Sequence, residues 1–289
     1  MNEIRRLVWN GTLNVQIEID KSLIISTRGD KPLYVNIKIP RETYISLFTE
    51  SILHRVKDYL RKDISEIVTN IWFEADGNLL LWNIPIGTSH DIITKSRVGS
   101  MNDISDSNTF IQVWKIKLVC GADLPATHIP IVNGNSQIQK YWMHQWKQSC
   151  FILNGSSKGV MSLHMNDSQS FWNSILHRTQ DSFEEISKKI IPKFPRKIPI
   201  VLHTKGQTDS QYHPMIVNVD NEGEKKTLSQ LVEQFSEANN LEIINVVSQG
   251  IPLPLDLDLH FLFLVFSSFD GFLHLIITHP QDTAQDKSY

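Results

Sequence analysis

The stretch "LNVQIEI", residues 13–19, alternates apolar and polar side chains, and so does "LYVNIKI", residues 33–39. A period of two places the two sets of side chains on opposite faces, which is typical of half-buried β-strands. Apolar residues then follow helical spacing in 45–60, and strand-like patterns return in 71–82 and 110–119. The order strand, strand, helix, strands predicts a β-grasp domain.

Two connections in this part of the chain carry their own signals. The dipeptide Asp76-Gly77 lies within 71–82 and favours the positive φ angles of a tight hairpin turn. The polar stretch 94–108 shows no periodicity, so we predict a surface insertion there.

The C-terminal third repeats the same order of elements without obvious sequence identity to the first. Thr227 and Gln230 have the spacing of a capping box at the start of a helix. The helix spans 227–237. The predicted strands are 197–205 and 212–220 before it, and 241–250 and 271–279 after it. The repeated order predicts a second β-grasp domain.

Between these two parts the apolar pattern indicates helices. The predicted N-terminal caps are Asn135 or Ser136 for the first helix, Asn166 or Asp167 for the second, and Ser182 with Glu185 for the third. The first helix should end at Asn154, with Gly155 directly after its last turn. Three prolines in 191–199 indicate a linker.

We therefore predict an α+β chain with two ubiquitin-like β-grasp domains flanking a helix-rich domain. The predicted boundaries are 1–120 for the first ubiquitin-like domain, 121–191 for the helix-rich domain and 192–289 for the second ubiquitin-like domain.

Composition excludes several classes of protein. The net charge of −3 provides no basic field for nucleic acid, so no nucleic-acid partner is expected. The two cysteines, Cys120 and Cys150, lack metal-ligand spacing and indicate reduced thiols in the cytoplasm. No signal peptide and no run of 18 apolar residues occurs, so any membrane contact should be peripheral.

The segment "YWMHQWKQSCFILNGSSK", residues 141–158, contains one lysine among aromatic residues. At about 100° per residue, the apolar side chains occupy half of the wheel and Lys147 lies roughly 150° from their centre. We therefore expect Lys147 to be exposed, together with Lys140 and the aromatic Phe151. Either this face is a docking surface, or Phe151 packs under a loop and Lys147 is an ordinary solubilising charge.

Several stretches closely resemble the autophagy protein 5 family, most nearly its budding-yeast type. They run in order along essentially the whole chain: "LVWNGTLNVQIEID" (7–20), "IPRETY" (39–44), "LWNIPIG" (81–87), "HQWKQSCFILNGSSKGVMSL" (144–163), "FWNSI" (171–175) and "SFDGFLHL" (268–275). The resemblance implies two ubiquitin-like domains around a helical domain, in agreement with the order of the elements.

The resemblance also implies a function. The C-terminal glycine of the ubiquitin-like autophagy protein 12 is joined by an isopeptide bond to the fourth residue of the family's H-Q-W-K motif, here Lys147. The E2-like autophagy protein 10 makes this bond, and Phe151 is a candidate docking neighbour for it. The conjugate binds the coiled-coil autophagy protein 16. Through the E2-like autophagy protein 3, it then promotes transfer of autophagy protein 8 to phosphatidylethanolamine.

Further implications concern membranes and location. The family touches membranes through its helical domain, with Lys158 as a candidate contact. Gln169 stands where close relatives can carry a basic residue, which puts a two-residue membrane patch in doubt. The implied location is the cytoplasm and, peripherally, the membrane of the pre-autophagosomal structure. No cofactor, no metal and no catalytic residue is implied, and E3-like activity belongs to the conjugate only.

The residues themselves offer little catalytic chemistry. The loop "GSSKG" (155–159) lacks the phosphate-binding pattern G-x-x-x-x-G-K-[ST], and no G-x-S-x-G elbow occurs. His203 and His213 are predicted neighbours across a hairpin without an evident third ligand. The chain ends in "AQDKSY" with no Gly-Gly, so it should accept a modifier rather than act as one. The alternative to a covalent acceptor is a non-covalent adaptor that binds a partner helix in a groove between the domains.

Overall fold

A computed structural model describes residues 2–25, 31–94, 112–205, 210–218, 220–221, 224–243 and 245–278 of the chain. The predicted insertion at 94–108, from its second residue onwards, and the C-terminal "AQDKSY" lie outside these residues.

The first sheet has five strands, and its period-two sequences bury alternate side chains. The strands are β1 (Thr12–Ile19), β2 (Leu33–Pro40), β3 (Ile71–Ala75), β4 (Asn78–Leu80) and β5 (Val113–Cys120). Their order across the sheet is β2-β1-β5-β3-β4, with β1 and β5 parallel and the other pairs antiparallel. The β3–β4 turn is formed by Asp76 and Gly77, both at positive φ, as predicted.

Among the described residues, four helices accompany this sheet: α1 (Asn2–Trp9), α2 (Thr49–Arg55), α3 (Ile64–Ile67) and α4 (Ile86–Thr94). The single helix expected over 45–60 is wrong, because 3-10 turns occupy its two ends, Ile45–Phe48 and Lys57–Tyr59. Leu60 leaves the helical pattern to form a β-bridge with Ile24.

The middle of the chain is helical, with α5 (Gly134–Asn154), α6 (Lys158–Met161), α7 (Met165–Leu176) and α8 (Gln180–Ile190). Aromatic rings fill the centre of this bundle. The ring of Phe171 lies 4.8 Å from Trp142, 5.0 Å from Trp146 and 5.1 Å from Phe183, centroid to centroid. Edge and tilted contacts at these separations are the favourable geometries for aromatic pairs.

The second sheet repeats the topology of the first. Its strands are β6 (Lys197–Lys205), β7 (Ser210–Asn218), β10 (Asn245–Ser248), β11 (Ile251–Pro252) and β12 (Leu273–Thr278), and a separate hairpin is formed by β8 (Asp220–Asn221) and β9 (Glu224–Lys225). The order is β11-β10-β12-β6-β7, with β6 and β12 parallel. Read from the other edge, this is the first sheet's order.

The described residues of this half form two helices, α9 (Leu228–Asn239) and α10 (Leu259–Phe266). Thr227 and Gln230 form the predicted capping box of α9, in which each side chain accepts from the other residue's backbone N–H. The predicted fold of two ubiquitin-like β-grasp domains flanking helices is confirmed.

The three parts are packed against one another and share their cores. One continuous core joins the first sheet to the helical bundle and also takes in Phe269 from the second half. The core of the second sheet includes Val8 of α1 and Leu153 of α5. Ile92 of α4 packs on Val247 and Ile276. Each part therefore buries apolar surface contributed by another part.

Candidate functional site

Helix α5 presents the candidate acceptor lysine, and its ends are well defined. Asn133 is the N-cap residue, and the side chain of Gln137 accepts from the backbone N–H groups of Val132 and Asn133 at 2.9 and 3.2 Å. Gly155, at φ 70°, ends the helix by donating its N–H to the carbonyl of Phe151. The predicted glycine C-terminus is confirmed, whereas the helix begins before both predicted caps.

The inner face of α5 is fixed by a turn of the second β-grasp domain, residues 268–271. The indole N–H groups of Trp142 and Trp146 both donate to the Phe269 carbonyl, at 2.7 and 2.8 Å. The Ser149 hydroxyl donates to the Gly271 carbonyl at 2.8 Å. Three buried hydrogen bonds therefore tie two turns of α5 to a segment far away in sequence, which limits sliding and rotation of the helix.

This turn is held in its own shape by a buried chain of polar side chains. Asp270 accepts from the backbone N–H of Phe272 at 3.2 Å and pairs with His274 Nε2 at 3.0 Å. His274 Nδ1 in turn lies 2.9 Å from His203 Nε2. Burial, followed by the neighbouring His274, holds the pKa of His203 well below its ordinary value, so this ring is neutral.

Lys147 lies on the outer face of α5, opposite the buried aromatic residues, as predicted. The expectation that it is exposed is wrong, because its side chain is half-buried. The outer face borders an open groove of about 510 Å³ whose other wall is β7 of the second β-grasp domain. The lining residues are His144, Lys147, Gln148, Phe151, Ile152, Ser157, Pro214, Met215, Ile216 and Phe272.

Lys147 forms no ion pair with the described residues. No carboxylate among them lies within 4.0 Å of its Nζ. The residues one turn away on α5 are Met143, His144, Cys150 and Phe151. Phe151 is 57% exposed and lines the same groove. The arrangement therefore offers one primary amine beside an exposed aromatic ring, on a helix that cannot readily move.

Neither of the other two predicted positions lines this groove. Lys158 is exposed at the first residue of α6, directly after Ser157 on the rim of the groove. Gln169 is exposed on α7, where its side chain donates to Asn173 at 3.0 Å.

The remaining reactive side chains are buried or half-buried. Cys150 is buried and its Sγ lies 3.3 Å from the Ser156 carbonyl, while burial raises the pKa of the Cys120 thiol. His203 pairs with His274 rather than with His213, which stands across the hairpin from Leu202. Among the described residues, no group of three or more His, Cys, Asp and Glu side chains has metal-site geometry.

The sequence alone did not indicate a buried ion pair that joins the three domains. Arg5 of α1 donates to both carboxylate oxygens of Glu42, at 2.9 and 3.3 Å, and to the Ser267 carbonyl at 2.9 Å. Arg178 of the bundle donates to the Glu42 carbonyl at 3.0 Å and stacks on Trp9. No local pattern marks this pair, because Arg5 lies in the charged stretch NEIRRLVW and Glu42 directly follows Arg41.

Comparison with known proteins completes this description. Three family models match in order along the chain: "Autophagy protein ATG5, UblA domain" at residues 8–120, "Autophagy protein ATG5, alpha-helical bundle region" at 135–193 and "Autophagy protein ATG5, UblB domain" at 197–277. The chain belongs to the autophagy protein 5 family. The resemblance seen in the sequence is confirmed, and the protein's role and partners lie in autophagy.

Individual members of the family match this chain over nearly its full length. Autophagy protein 5 of Vanderwaltozyma polyspora is 39% identical, covering 98% of this chain and 97% of its own. That of Saccharomyces cerevisiae is 36% identical, with 96% of both chains covered. A crystal structure of Kluyveromyces marxianus Atg5 superposes with a TM-score of 0.78 at 28% identity, covering 96% of this chain and 100% of that chain.

In the described part of the chain, no helix combines the length and the apolar composition needed to cross a bilayer.

Proposed function

We propose that Lys147 is the acceptor of the ubiquitin-like autophagy protein 12. The proposal rests on the structural surroundings of the Lys147 amine. Lys147 stands in an open groove on a helix held by three buried hydrogen bonds, and it has no carboxylate partner in the described chain. No ion pair has to be broken before its nitrogen reacts, and a fixed helix lowers the entropic cost of orienting it.

The proposed step is transfer from a thioester to an amine. The neutral Nζ of Lys147 attacks the carbonyl carbon that joins the modifier's C-terminal glycine to a cysteine of the E2-like autophagy protein 10. The C–N bond forms, the C–S bond breaks and the cysteine leaves as a thiolate. The proton lost by nitrogen passes to solvent or to a base of the E2-like protein. The chain supplies the nucleophile and its position, and it is not an enzyme by itself.

Phe151 is proposed to dock the E2-like protein beside the lysine. Its ring is exposed on the same wall of the groove one turn from Lys147, where an incoming protein would bury it. Phe151→Ser should therefore raise the KM of the conjugation reaction for this chain more than it lowers kcat.

The later steps rest on membership of the family. We propose that the conjugate binds the coiled-coil autophagy protein 16. Acting like an E3 through autophagy protein 3, it would promote lipidation of autophagy protein 8 with phosphatidylethanolamine during autophagosome formation. The proposed location is the cytoplasm and, peripherally through Lys158, the membrane of the pre-autophagosomal structure. The proposed domain boundaries follow residues 120 and 191.

The alternative is a non-covalent adaptor for a partner helix. The observation that favours it is the exposed apolar surface of α1. Ile4 and Leu7 are exposed, although the helix packs on α10 and its Arg5 joins the domains. An immunoblot of cell extract separates the two functions. A species that resists denaturing detergent and is heavier by one ubiquitin-like protein supports the covalent acceptor.

The direct test is Lys147→Arg in a reaction reconstituted with the E1- and E2-like proteins. Arginine keeps the charge and the helix propensity, but its guanidinium stays protonated and is no acyl acceptor. Conjugation should be abolished, while the free energy of unfolding changes by less than about 0.5 kcal/mol. Lys140→Arg is the matched control, since Lys140 is exposed two turns earlier on the same helix. A conjugate formed by the Lys147→Arg protein would place the acceptor elsewhere.

A further inference from the structure

The transfer proposed for Lys147 requires a group that takes a proton from the attacking amine. A neutral amine becomes positively charged when it adds to a thioester carbonyl, and the nitrogen must lose a proton before an amide can form. Solvent or a base of the E2-like protein could take that proton. The groove beside Lys147 contains one further candidate, the imidazole of His144.

Among the described residues that line the groove, His144 and Lys147 are the two with titratable side chains. The other lining residues are uncharged: Gln148, Phe151, Ile152, Ser157, Pro214, Met215, Ile216 and Phe272. Two more lysines stand near this face, Lys140 one turn before His144 and Lys158 directly after Ser157. A lysine ammonium accepts no proton. His144 is therefore the one base that these lining residues offer to the amine.

Titratable groups behind the groove walls face other parts of the molecule. On β7, the ring of His213 packs on Phe235 of α9, with 5.3 Å between the ring centroids. Close to Phe272, the Asp270 carboxylate and the His274 ring are buried and pair with each other at 3.0 Å. Because these groups are already engaged, they leave His144 as the proton acceptor on the groove side.

Helical geometry brings the lysine stem towards this imidazole. His144 precedes Lys147 by three residues on α5, and residues at that spacing are neighbours whose Cβ atoms lie about 5–6 Å apart. Side chains on an α-helix lean towards its N-terminus, so the Lys147 stem extends over the turn that carries His144. The hydrogen bonds that hold α5 keep both side chains facing β7.

The surroundings of the two side chains also suit a proton transfer. The His144 ring forms no hydrogen bond or ion pair with the described residues, so its lone pair is available there. His144 is exposed, whereas Lys147 is half-buried. An imidazole in this position can take a proton from the less accessible amine and release it to water.

We propose that His144 is the general base of the transfer to Lys147. The Lys147 nitrogen forms the C–N bond with the thioester carbonyl carbon, and its proton passes to the neutral imidazole. The C–S bond breaks and its electron pair leaves with the sulfur as a thiolate. The imidazolium then gives the proton to this thiolate or to water. The inference rests on the proposed acceptor role of Lys147 and extends it, because the chain then supplies a catalytic residue beside the nucleophile.

The test measures single-turnover transfer of autophagy protein 12 from its preformed thioester with autophagy protein 10 to the purified chain. His144→Gln keeps a polar side chain in the helix but removes the titratable nitrogen. Its maximal rate constant at about pH 8 should fall about a hundredfold, the lower end of the usual contribution of general acid–base catalysis. The chain concentration that gives half the maximal rate should stay unchanged, in contrast to the effect expected of Phe151→Ser.

Two readouts separate a base from a residue that only docks the E2-like protein. The ratio of the wild-type rate to the His144→Gln rate should shrink as the pH falls through the range in which imidazoles titrate, because an imidazolium accepts no proton. Added imidazole should restore part of the rate of His144→Ala. A higher half-saturating concentration with an unchanged maximal rate constant would make His144 a docking residue and overturn the proposal.

His54→Gln is the matched control, since it removes another exposed imidazole from a helix, α2 of the first β-grasp domain. This variant should react as the wild type does at every pH. Wild-type rates for His144→Gln across the same pH range would assign the base to the E2-like protein or to solvent and refute the inference.

Lys147→Arg in the same assay separates this inference from the proposed function. No conjugate should form at any pH, with or without added imidazole. A conjugate formed by Lys147→Arg would refute the acceptor role, and the role of His144 would fall with it. Lost conjugation by Lys147→Arg, together with a wild-type rate for His144→Gln, would leave the acceptor role intact and refute the general base alone.

Discussion

Replacing Arg5 with alanine should destabilise the whole chain, because it leaves a buried carboxylate without its partner. Glu42 is fully buried, and Arg5 provides two hydrogen bonds to its carboxylate oxygens and a third to Ser267 of the second β-grasp domain. The pair therefore links α1, the first β-grasp domain and the second one.

The size of the stability loss depends on the interactions that Glu42 keeps when Arg5 is truncated to alanine. Breaking a buried ion pair by removing one partner costs about 3–5 kcal/mol, since the other charge stays in a poorly solvating interior. Here Glu42 would keep a weak contact from Gln249 at 3.5 Å, and the Arg178 guanidinium remains bonded to its backbone carbonyl. These residual interactions favour the lower end of the range, about 3 kcal/mol. That loss is a large fraction of the ~5–15 kcal/mol that holds a typical domain folded.

Urea unfolding followed by tryptophan fluorescence measures this loss. Arg5→Ala is compared with Arg6→Ala, which removes an exposed neighbour on the same helix and should cost less than about 0.5 kcal/mol. The double variant Arg5→Met/Glu42→Leu removes both charges and should recover much of the lost stability. A cost below about 1 kcal/mol for Arg5→Ala, or additive costs in the double variant, would refute the assigned role of the pair.

Three further predictions concern other parts of the molecule. Gly271→Ala should cost about 2 kcal/mol in thermal or urea unfolding, because Gly271 has φ +85° and an added Cβ would lie 2.9 Å from the Ser149 hydroxyl; an unchanged stability would contradict this backbone geometry. The lowered pKa of His203 means that the unfolded chain binds a proton before the folded chain does. The free energy of unfolding should therefore fall by up to about 1.4 kcal/mol per pH unit below about pH 6.5, and His203→Gln should flatten that fall. Lys158→Glu should reduce flotation with anionic vesicles about tenfold, and unchanged flotation would remove Lys158 from the membrane contact.

The parts of the fold that sequence predicts are those with local causes. The period-two strands β1 and β2 bury alternate side chains because a pleated strand projects successive residues to opposite faces. The capping box at Thr227 and the left-handed Gly155 also depend on residues within one helical turn. These elements can therefore be predicted without knowing how the rest of the chain folds.

Elements that depend on distant partners could not be predicted in this way. Asn166 or Asp167 was expected to cap α7, but both lie inside its first turn and the N-cap residue is His164. Asp167 pairs with Lys189 of the next helix instead. Helix α8 begins at Gln180, before the expected cap at Ser182. Helix α4 was missed because it buries polar residues, including Asp91, which is paired with Arg41.

The candidate site also has one part that the sequence predicts and another part that depends on distant residues. The wheel placed Lys147 opposite the tryptophans, since that depends on helical geometry alone. The groove beside it depends on β7, which the sequence does not connect to α5. Helix α5 is fixed by hydrogen bonds from Trp142, Trp146 and Ser149 to carbonyl groups of the 268–271 turn. No spacing within the helix predicts these acceptors.

Lys147 gains its proposed role from its position, and that position depends on several parts of the chain. Arg5 joins the first β-grasp domain to Ser267, and the turn that follows Ser267 accepts the three hydrogen bonds from α5. Strand β7 then supplies the opposite wall of the groove. The geometry of the amine is therefore set by both ubiquitin-like domains at once. An isolated helix with the same sequence would carry the nucleophile but would lack the wall and the fixed orientation that the proposed transfer requires.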